Sequence, residues 1–418
     1  MPETYTVGRR GDEVRSDCWV SYEPKPSGGL DIHVKSKVES MYGESIRLQC
    51  QSVLNELKLK HAQIEIEDYG ALPWTIAARI ETAVRRARST PPLSPGGGIS
   101  LPEFKPYCQY ETTRDRFRRS RLYLPGNEPK FFVNAGVHKP DGIILDLEDS
   151  VAPPEKDAAR VLVRNALRQV NFYGAERMVR INQGQRGLED LEWIVPHNVH
   201  VVLIPKVEDP EQVKAVDDKI EEILRNTPPY PPLRSRGGQR RSIFLMPIIE
   251  SALGGIKAYE IATASPNNVA LAIGLEDYTA DIGVQRTNEG RESFWLRSVI
   301  VNAARAAGIQ PIDTVFSDVS DMEGLKASVI EAKSLGFDGK GCIHPRQIAV
   351  VHEAFAPTQV EIDKATRIVK AFEAAETKGL GVVSLGSKMI DPPVVKRALK
   401  TVKMAETLGM LEKDWRNS

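Results

Sequence analysis

Eight short apolar segments recur through the larger, C-terminal part of the chain, and segments of helical length separate them. They span residues 120–124, 142–149, 177–182, 201–206, 243–251, 269–277, 309–317 and 339–345. Strands that alternate with helices pair in parallel, and eight such units over this length predict a closed (β/α)8 TIM barrel. A doubly wound open sheet is the alternative, but no GxGxxG motif follows the first strand, which weakens a dinucleotide-binding interpretation.

A stretch rich in Pro, Gly and Ser separates this region from a smaller N-terminal one. Residues 89–106 read STPPLSPGGGISLPEFKP and have neither helical nor strand periodicity, which indicates a linker. The apolar spacing before it predicts a compact α+β module. Its predicted strands are 19–23, 30–36 and 63–67, and its predicted helices are 45–59 and 75–88.

Two further helices are predicted after the eighth strand, at 358–377 and 392–409. Between them lies GLGVVSLGSKMIDPP, a Gly-rich loop that ends in Asp391 and two prolines. We therefore divide the chain into four parts: a small α+β domain at 1–88, a linker at 89–113, the barrel at 114–378 and a C-terminal extension at 379–418.

Composition excludes several classes of protein. The formal net charge of +0 gives no reason to expect a nucleic acid or an anionic membrane as partner. No apolar run reaches membrane-spanning length, and the N-terminus lacks the apolar core of a secretory signal. The four cysteines are far apart and show no CxxC spacing, so we expect reduced thiols, a cytoplasmic location and no zinc site.

The active site of a (β/α)8 barrel lies at the C-terminal ends of its strands, and here those ends carry polar residues. They are Glu148 and Asp149, Arg180 and Asn182, Lys206, Glu250, Glu276 and Asp277, and His344, after strands two, three, four, five, six and eight. Converging carboxylates without Cys or His ligands suit an oxygen-preferring cation such as Mg²⁺. Glu250 and Asp277, on adjacent strands, are the best ligand candidates, and a structural ring of ion pairs is the alternative.

The other polar residues of this set each have two interpretations. Glu148 and Asp149 either accept hydrogen bonds from metal-bound water or pair with basic side chains. Arg180 either holds a substrate carboxylate or a developing oxyanion, or only pairs with Glu148. Lys206 pairs with acids or, less economically, forms a Schiff base. We expect His344 to be structural or a contact at the rim.

Many motifs in order resemble the citrate lyase β-subunit (citryl-thioester lyase) family, within the HpcH/HpaI aldolase superfamily. They are RSRLYLPGNEPKF, DGIILDLEDSVAPPEKDAAR, MVRIN, LIPKVED, IIES, AIGLEDY, GFDGKGCIHPRQI, APTQVEID and GVVSLGSKMID. The resemblance covers nearly all of residues 114–409. It implies a (β/α)8 barrel that uses Mg²⁺ to cleave a β-hydroxyacyl thioester by reverse Claisen chemistry.

The resemblance also implies roles for individual residues. Glu250 and Asp277 would bind Mg²⁺, and Arg180 would contact the reacting carbonyl or alkoxide. The chemistry itself also requires a base for the hydroxyl proton, and we name Glu148 as the catalytic carboxylate. Asp391 matches an acid that family members supply to a neighbouring subunit's site, which implies a homo-oligomer, a trimer or hexamer. Two basic residues near the first strand are candidates for holding the phosphate-bearing arm of a CoA thioester, namely Arg121 and Lys130.

The N-terminal module resembles the citrate lyase γ-subunit, the acyl carrier protein. The motifs are SDCWVSYEPKPSGGLDIHVKS, YGESIR and EIEDYGALPWTIAARIETAVRRA. In that family the prosthetic-group serine is the first of a Ser-Ser-Asp-like stretch, where this chain has Arg15-Ser16-Asp17. Either Ser16 takes the phosphoribosyl-dephospho-CoA arm with a shift of one residue, or the carrier is no longer loaded.

Two further departures from the family pattern bear on the substrate pocket. Residues 226–241, NTPPYPPLRSRGGQRR, lengthen the loop before the fifth strand and are basic, which suits either an anionic partner or a solvated loop. Ser251-Ala252 stands where Ser-Pro is common in the family, and His344 stands where Asn is common.

Three functions remain open at this point. The first is a citryl-ACP lyase component, which releases oxaloacetate and acetyl-ACP and works with a citrate lyase α (transferase) subunit. The second is a stand-alone lyase for a free CoA thioester, such as citramalyl-, malyl- or citryl-CoA, with a vestigial carrier module. The third is a carrier and scaffold subunit without catalysis, against which the complete set of Arg180, Glu250, Asp277 and Asp391 argues.

Overall fold

The computed structural model describes residues 3–88, 100–226, 243–377, 383–385, 388–412 and 414–416. These residues form two compact units, Met1–Ile348 and Ala349–Ser418. The basic segment 226–241 lies outside the described residues except for Asn226, which ends a helix, and so does the first part of the linker, 89–99. No helix within the described ranges is long and apolar enough to cross a membrane.

The first unit begins with a small α+β module. Its elements are β1 (Tyr5–Val7), β2 (Cys18–Pro24), β3 (Leu30–Ser36), α1 (Glu39–Glu56), β4 (Ala62–Asp68) and α2 (Pro73–Arg88). Each element predicted here is present, and β1 is an addition, because three residues are too few to show periodicity. The strand order is β1-β2-β4-β3. Strands β2 and β3 are consecutive in sequence but not neighbours in the sheet, since β4 lies between them and pairs with both.

The same unit continues into a closed barrel of eight parallel strands, which confirms the predicted fold. The strands are β5 (Ser120–Pro125), β6 (Gly142–Asp146), β7 (Glu176–Arg180), β8 (Val201–Ile204), β9 (Phe244–Ile249), β10 (Ala270–Ile273), β11 (Gln310–Asp313) and β12 (Gly339–Cys342). Parallel pairing between β12 and β5 closes the barrel.

Helices follow the barrel strands. They are α3 (Pro129–Phe132), α4 (Lys156–Gln169), α5 (Gly184–Ile194), α6 (Pro210–Asn226), α7 (Ala252–Ile256), α8 (Ala258–Thr263), α9 (Leu275–Asp281), α10 (Arg291–Ala306), α11 (Met322–Leu335) and α12 (Arg346–Phe355). Several strands end earlier in the structure than the sequence predicts. The sixth, predicted to reach Asp277, stops at Ile273, because the following Gly274 caps α9 and the acids lie in that helix's first turn, where the helix dipole favours them.

Apolar side chains fill the interior of the barrel. Ile144, Met178, Leu203 and Ile248, from four adjacent strands, belong to one buried cluster. Because side chains alternate along a strand, the residue two positions later on each strand also faces inward. Near the C-terminal ends of the strands, inward-facing side chains are charged instead of apolar, and they form a polar mouth.

After the end of α12, the described residues of the second unit form two helices and a short hairpin. Its elements are α13 (Gln359–Glu376), β13 (Val383–Leu385), β14 (Lys388–Ile390) and α14 (Pro392–Thr407). Thr358 and Glu361 form a capping box at the start of α13, which stabilises a helix N-terminus. Buried apolar residues from both helices, including Val369 and Val402, pack with Trp415 in one cluster. Both helices match the two stretches predicted from sequence.

Candidate active site

Strand register brings Arg180 and Asp146 together at the barrel mouth. The two residues are Cα partners at the ends of β6 and β7, and each stands two positions after a residue of the interior cluster, Ile144 or Met178. The Arg180 guanidinium donates from Nε to Asp146 Oδ1 at 2.7 Å and from Nη2 to Asp146 Oδ2 at 2.6 Å. Its Nη1 lies 3.1 Å from Glu148 Oε2. Three of its five N–H donors face acids.

Asp146 is the residue of this group that sequence reasoning did not assign to the site. It is 1% exposed and also accepts backbone hydrogen bonds from Glu148 and Ser150 at 3.0 and 3.2 Å. Burial on its own would raise the pKa of Asp146, but the hydrogen bonds and charge of Arg180 hold that pKa below its usual value. Asp146 is therefore an ionised anchor that fixes the orientation of Arg180.

Glu148 is the second carboxylate beside Arg180. Its Oε1 accepts from Gln183 Nε2 at 2.8 Å, and only 4% of its side chain is exposed. Burial raises the pKa of Glu148 in spite of the nearby Arg180 charge. A partly desolvated carboxylate with a raised pKa is a candidate for a general base or acid.

Lys206 links the acids on both sides of the mouth. Its Nζ lies 3.5 Å from Glu148, 3.2 Å from Asp149 and 3.4 Å from Asp277. These three carboxylates raise the pKa of Lys206 although burial opposes them. A lysine held as an ammonium ion is not a nucleophile, so this geometry disfavours the Schiff-base alternative.

Glu250 directly follows β9 and faces inward, two positions after Ile248 of the interior cluster. It is 5% exposed, and its Oε2 is buried without a hydrogen-bond partner. Burial, reinforced by the charges of Asp277 and Glu148, raises the pKa of Glu250 to about 8. Gly274 makes room for this carboxylate, because a Cβ at that position would lie 2.7 Å from Glu250 Cγ.

A divalent cation fits the chemistry of this group. An unpartnered buried carboxylate oxygen is costly, and a bound cation would both satisfy Glu250 and keep it ionised. Asp277, half-exposed in the first turn of α9, is the second predicted ligand. Among the described residues no three acidic, histidine or cysteine side chains are already arranged as a metal-binding group. Two carboxylates, completed by water and substrate oxygens, are the usual protein contribution to a Mg²⁺ site.

A cavity of about 490 Å³ opens at the mouth of the barrel. Its lining includes Asp146, Arg180, Glu250 and Asp277. A neighbouring cavity of about 570 Å³ is larger, but its buried charges, including Lys340 and Asp313 at 2.7 Å, are paired with each other. The cavity at the mouth is therefore the better place for a substrate.

Arg121 lines the same cavity from inside the barrel. It is 1% exposed, and it donates to Met246 Sδ at 3.1 Å and to the Asp313 carbonyl at 3.3 Å. Burial lowers its pKa. Lys130, the other basic candidate, lies on α3 with its side chain 40% exposed and pairs with Glu128 at 3.4 Å.

The remaining predicted residues make local contacts of their own. His344 Nδ1 accepts from the backbone of Arg346 at 3.1 Å, at the start of α12. Ser16 belongs to the N-terminal module. Asp391 belongs to the second compact unit, where its Oδ1 accepts from Val394 N at 3.2 Å and caps α14. The metal, catalytic and arm-binding roles assigned from sequence stay predictions.

Comparisons with known proteins match both parts of the chain. A family model described as HpcH/HpaI aldolase/citrate lyase matches residues 119–345, and one described as ACP, malonate decarboxylase delta subunit (MdcD), matches residues 10–87.

Individual relatives resemble most of the chain. Citrate lyase subunit beta of Haemophilus influenzae is 41% identical over 294 residues, which cover 70% of this chain and 98% of that protein. Mitochondrial citramalyl-CoA lyase of Mus musculus is 32% identical over 342 residues, or 79% of this chain and 98% of that protein. A crystal structure of the protein CitE from Mycobacterium tuberculosis, in complex with magnesium, acetoacetate and coenzyme A, superimposes with a TM-score of 0.55. It is 30% identical and covers 70% of this chain and 99% of that one.

Proposed function

Because the chain belongs to the HpcH/HpaI aldolase/citrate lyase family, we propose that it is a Mg²⁺-dependent carbon–carbon lyase acting on a β-hydroxyacyl thioester. In its most specific form the proposal is the cleavage of citryl-ACP to oxaloacetate and acetyl-ACP. One observation carries it: a guanidinium fixed by Asp146 and a buried, unpartnered carboxylate of Glu250 line one cavity at the barrel mouth.

The reaction sets clear demands on such a site. The substrate hydroxyl loses its proton, the C–C bond breaks, and the hydroxyl carbon becomes the carbonyl of a 2-oxo acid. The bonding electrons move into the thioester, which leaves as an enolate and takes up a proton at carbon. A group must accept the hydroxyl proton, and a cation must stabilise the negative charge that develops on oxygen.

Residues of this chain can meet these demands. Arg180 uses three N–H donors for its close contacts with Asp146 and Glu148, and we assign a remaining donor to the substrate oxygen, with Asp149 3.9 Å from Nη1. Glu148 is our candidate for the group that takes the hydroxyl proton, because it lies beside Arg180 and burial raises its pKa. Glu250 and Asp277 would hold Mg²⁺, which when bound supplies Lewis-acid polarisation of the 2-oxo acid oxygens. Asp391 of the partner subunit is our candidate for a further acid–base group, which requires an oligomer.

A second candidate substrate is a free CoA thioester, such as citramalyl-, malyl- or citryl-CoA. The resemblance to citramalyl-CoA lyase over 79% of the chain favours it. Arg15 in the first position of the Arg15-Ser16-Asp17 stretch favours it as well, because the usual attachment residue is replaced. Arg121 and Lys130 stay candidates for the phosphate-bearing arm.

We propose the following roles for the four parts of the chain. Residues 1–88 form an acyl-carrier-like domain, 89–113 a linker, 114–378 the lyase barrel and 379–418 the extension with Asp391. In the citryl-ACP version, Ser16 carries a phosphoribosyl-dephospho-CoA group, and an α (transferase) subunit is a partner.

Glu250→Gln tests the lyase proposal. The purified wild-type chain is expected to release a 2-oxo acid from at least one of the named CoA thioesters or from a loaded carrier, and only with Mg²⁺. Glu250→Gln removes the buried anionic ligand and should lower the rate by about 100-fold or more, with weaker Mg²⁺ binding by calorimetry. Glu260→Gln, the same change at an exposed position of α8, is the control. Full activity in Glu250→Gln would contradict the metal assignment.

A peptide mass spectrum of the protein from its native host separates the two substrate classes. An adduct on Ser16 supports a carrier-bound substrate. An unmodified Ser16 in cells where the lyase is active supports free CoA thioesters.

A further inference from the structure

The N-terminal module and the barrel share a packed interface. Helix α2 of the module lies against α4 of the barrel, and Ala158 of α4 belongs to the module's own buried core. The rings of Trp74 and Phe132, from α2 and α3, stack with centroids 6.1 Å apart. Asn165 Nδ2 donates to the carbonyl of Trp74 at 3.0 Å. The module is therefore joined to the barrel by buried apolar and polar contacts as well as by the linker.

Paired charges also cross this interface. Glu81 of α2 accepts from Arg164 of α4 at 3.0 and 2.7 Å, with both side chains no more than 2% exposed. Arg86 of α2 donates to both oxygens of Asp157 at 2.7 Å. The apolar packing of Trp74, Phe132 and Ala158 favours association, and the buried pair fixes one orientation of the two helices. We therefore infer a permanent interface.

A second set of contacts ties the segment around Ser16 to the barrel mouth. Asp17 accepts from Arg79 Nε at 2.9 Å and Nη2 at 2.7 Å, and Arg79 Nη2 also donates to the carbonyl of Asn127 at 3.1 Å. Asp17 and Arg79 are 4% and 1% exposed. Arg9 forms an ion pair with Glu128. Asn127 and Glu128 follow the C-terminal end of β5, so they belong to the rim on which the catalytic residues lie.

The backbone at Ser16 is fixed as well. Its N–H donates to the carbonyl of Tyr69 at 3.1 Å, and its φ of 55° lies in the left-handed region. The residue is half-buried, whereas Arg15 is exposed. Ser16 thus has a defined backbone position next to Asp17, whose partner Arg79 contacts the rim of the barrel.

We propose that Ser16 lies at the rim of its own barrel, so that an arm attached there reaches the catalytic cavity while the module stays docked. Gly126 N donates to the carbonyl of Asp146 at 2.8 Å, next to the Arg180 site. The contacts of Asp17 with Arg79, of Arg79 with Asn127 and of Gly126 with Asp146 form a continuous chain. Their combined length places the backbone of Ser16 within about 25 Å of that of Asp146. An arm of the phosphoribosyl-dephospho-CoA type contains more than about twenty bonds in series, enough to bridge this span.

What the arm carries rests on the proposed function, but the position of Ser16 does not. In this arrangement the arm moves and the domain does not, and each barrel is served by the carrier of its own chain. A separate carrier protein would have to find and leave the barrel in every cycle, whereas here the effective concentration of the arm at the mouth is fixed by its length.

Photocrosslinking from Ser16→Cys tests this proposal on the full chain. The native cysteines, Cys18, Cys50, Cys108 and Cys342, are all buried, so a maleimide carrying benzophenone should label the new thiol selectively. On irradiation we expect crosslinks to the tryptic peptide 122–130, within a band of monomer mass on a denaturing gel. His33→Cys, exposed on the edge strand β3, is the matched control and should not label that peptide.

Each outcome has a distinct meaning. Crosslinks from Ser16→Cys that avoid peptide 122–130, or that reach it only in bands of dimer mass, would overturn the proposal. Unchanged thermal unfolding of the labelled protein shows that the label leaves the fold intact. Because crosslinking needs no catalysis, a protein that crosslinks as expected but cleaves no thioester would contradict the proposed function alone.

Discussion

Arg180 and Asp146 form a bidentate ion pair, with N–O distances of 2.7 and 2.6 Å, across the two strands that contribute them. Asp146 is 1% exposed and also accepts two backbone hydrogen bonds, so its carboxylate is held in place independently of Arg180. The pair therefore sets the position of the cation that we assign to the developing oxyanion.

Asp146→Asn should lower kcat by about 10- to 100-fold, because the amide keeps the shape but loses the charge that orients Arg180. Steady-state kinetics with the active thioester measures the effect. Asp141→Asn is the matched control, since Asp141 forms an equivalent pair with Arg119, at 2.9 Å from both Nε and Nη2, but precedes β6 at the opposite end of the barrel. Equal losses of kcat in the two variants would mean that the effect is structural.

The barrel fold could be predicted because each of its strands is indicated by a short stretch of sequence. Buried parallel strands appear as apolar runs, and the eight runs occur at regular spacing. Strand ends were harder to predict, because whether Glu276 and Asp277 extend β10 or begin α9 depends on the cap at Gly274, not on polarity.

The site was predictable where a polar residue follows an apolar run, as at Glu250 and Arg180. Asp146 was not assigned, because a carboxylate inside a strand gives no indication of which neighbour it pairs with until the register of β6 and β7 is known. Gln183, which donates to Glu148, was missed for the same reason. The docking of the Ser16 segment depends on contacts of Arg79 with Asp17 and with Asn127, which lie 62 and 48 residues away in sequence and which no local pattern encodes.

Glu81→Gln should destabilise the protein by about 3 kcal/mol, because it leaves the Arg164 guanidinium buried without its anionic partner. Urea unfolding monitored by tryptophan fluorescence measures the change, and the module and barrel are expected to unfold in one transition. Glu39→Gln, in the exposed Arg47–Glu39 pair, should leave the midpoint unchanged. Two separate transitions in the wild type would contradict the permanent interface.

His197 should make the protein sensitive to mild acid. It is buried, accepts from Arg168 at 3.2 Å in its neutral form, and has a pKa well below the usual 6.5, chiefly because of burial and then the charges of Arg164 and Arg168. Below pH 6.5 the unfolded chain binds a proton here that the folded chain does not. Above pH 6.5 His197 is neutral in both states and does not affect the free energy of unfolding. Below pH 6.5 that free energy falls by up to about 1.4 kcal/mol per pH unit because of this group.

Urea unfolding at several pH values between 5 and 7.5 measures this slope. His197→Gln keeps an acceptor for Arg168 and should reduce the slope, whereas His138→Gln, at an exposed position, should not. A slope that is the same in wild type and His197→Gln would show that another group causes the acid sensitivity.

Asp391→Asn should lose activity but regain part of it in mixed oligomers with Glu250→Ala. Each variant supplies the residue that the other lacks, if a neighbouring chain completes the site. Asn is as good an N-cap residue as Asp, so the cap on α14 is kept and loss of activity would not reflect an unfolded helix. No recovery in oligomers with proven subunit exchange would count against the shared site.

The most direct test of the lyase proposal is product analysis by mass spectrometry. The purified full-length chain is incubated with citryl-, citramalyl- and malyl-CoA, and separately with a citryl-loaded carrier, with Mg²⁺ or with a chelator. We predict a 2-oxo acid and the matching acyl thioester in equal amounts from at least one substrate, only when Mg²⁺ is present and not in Glu250→Gln. Release of free CoA and the intact hydroxy acid, which is hydrolysis without C–C cleavage, or equal cleavage in the chelator, would contradict it.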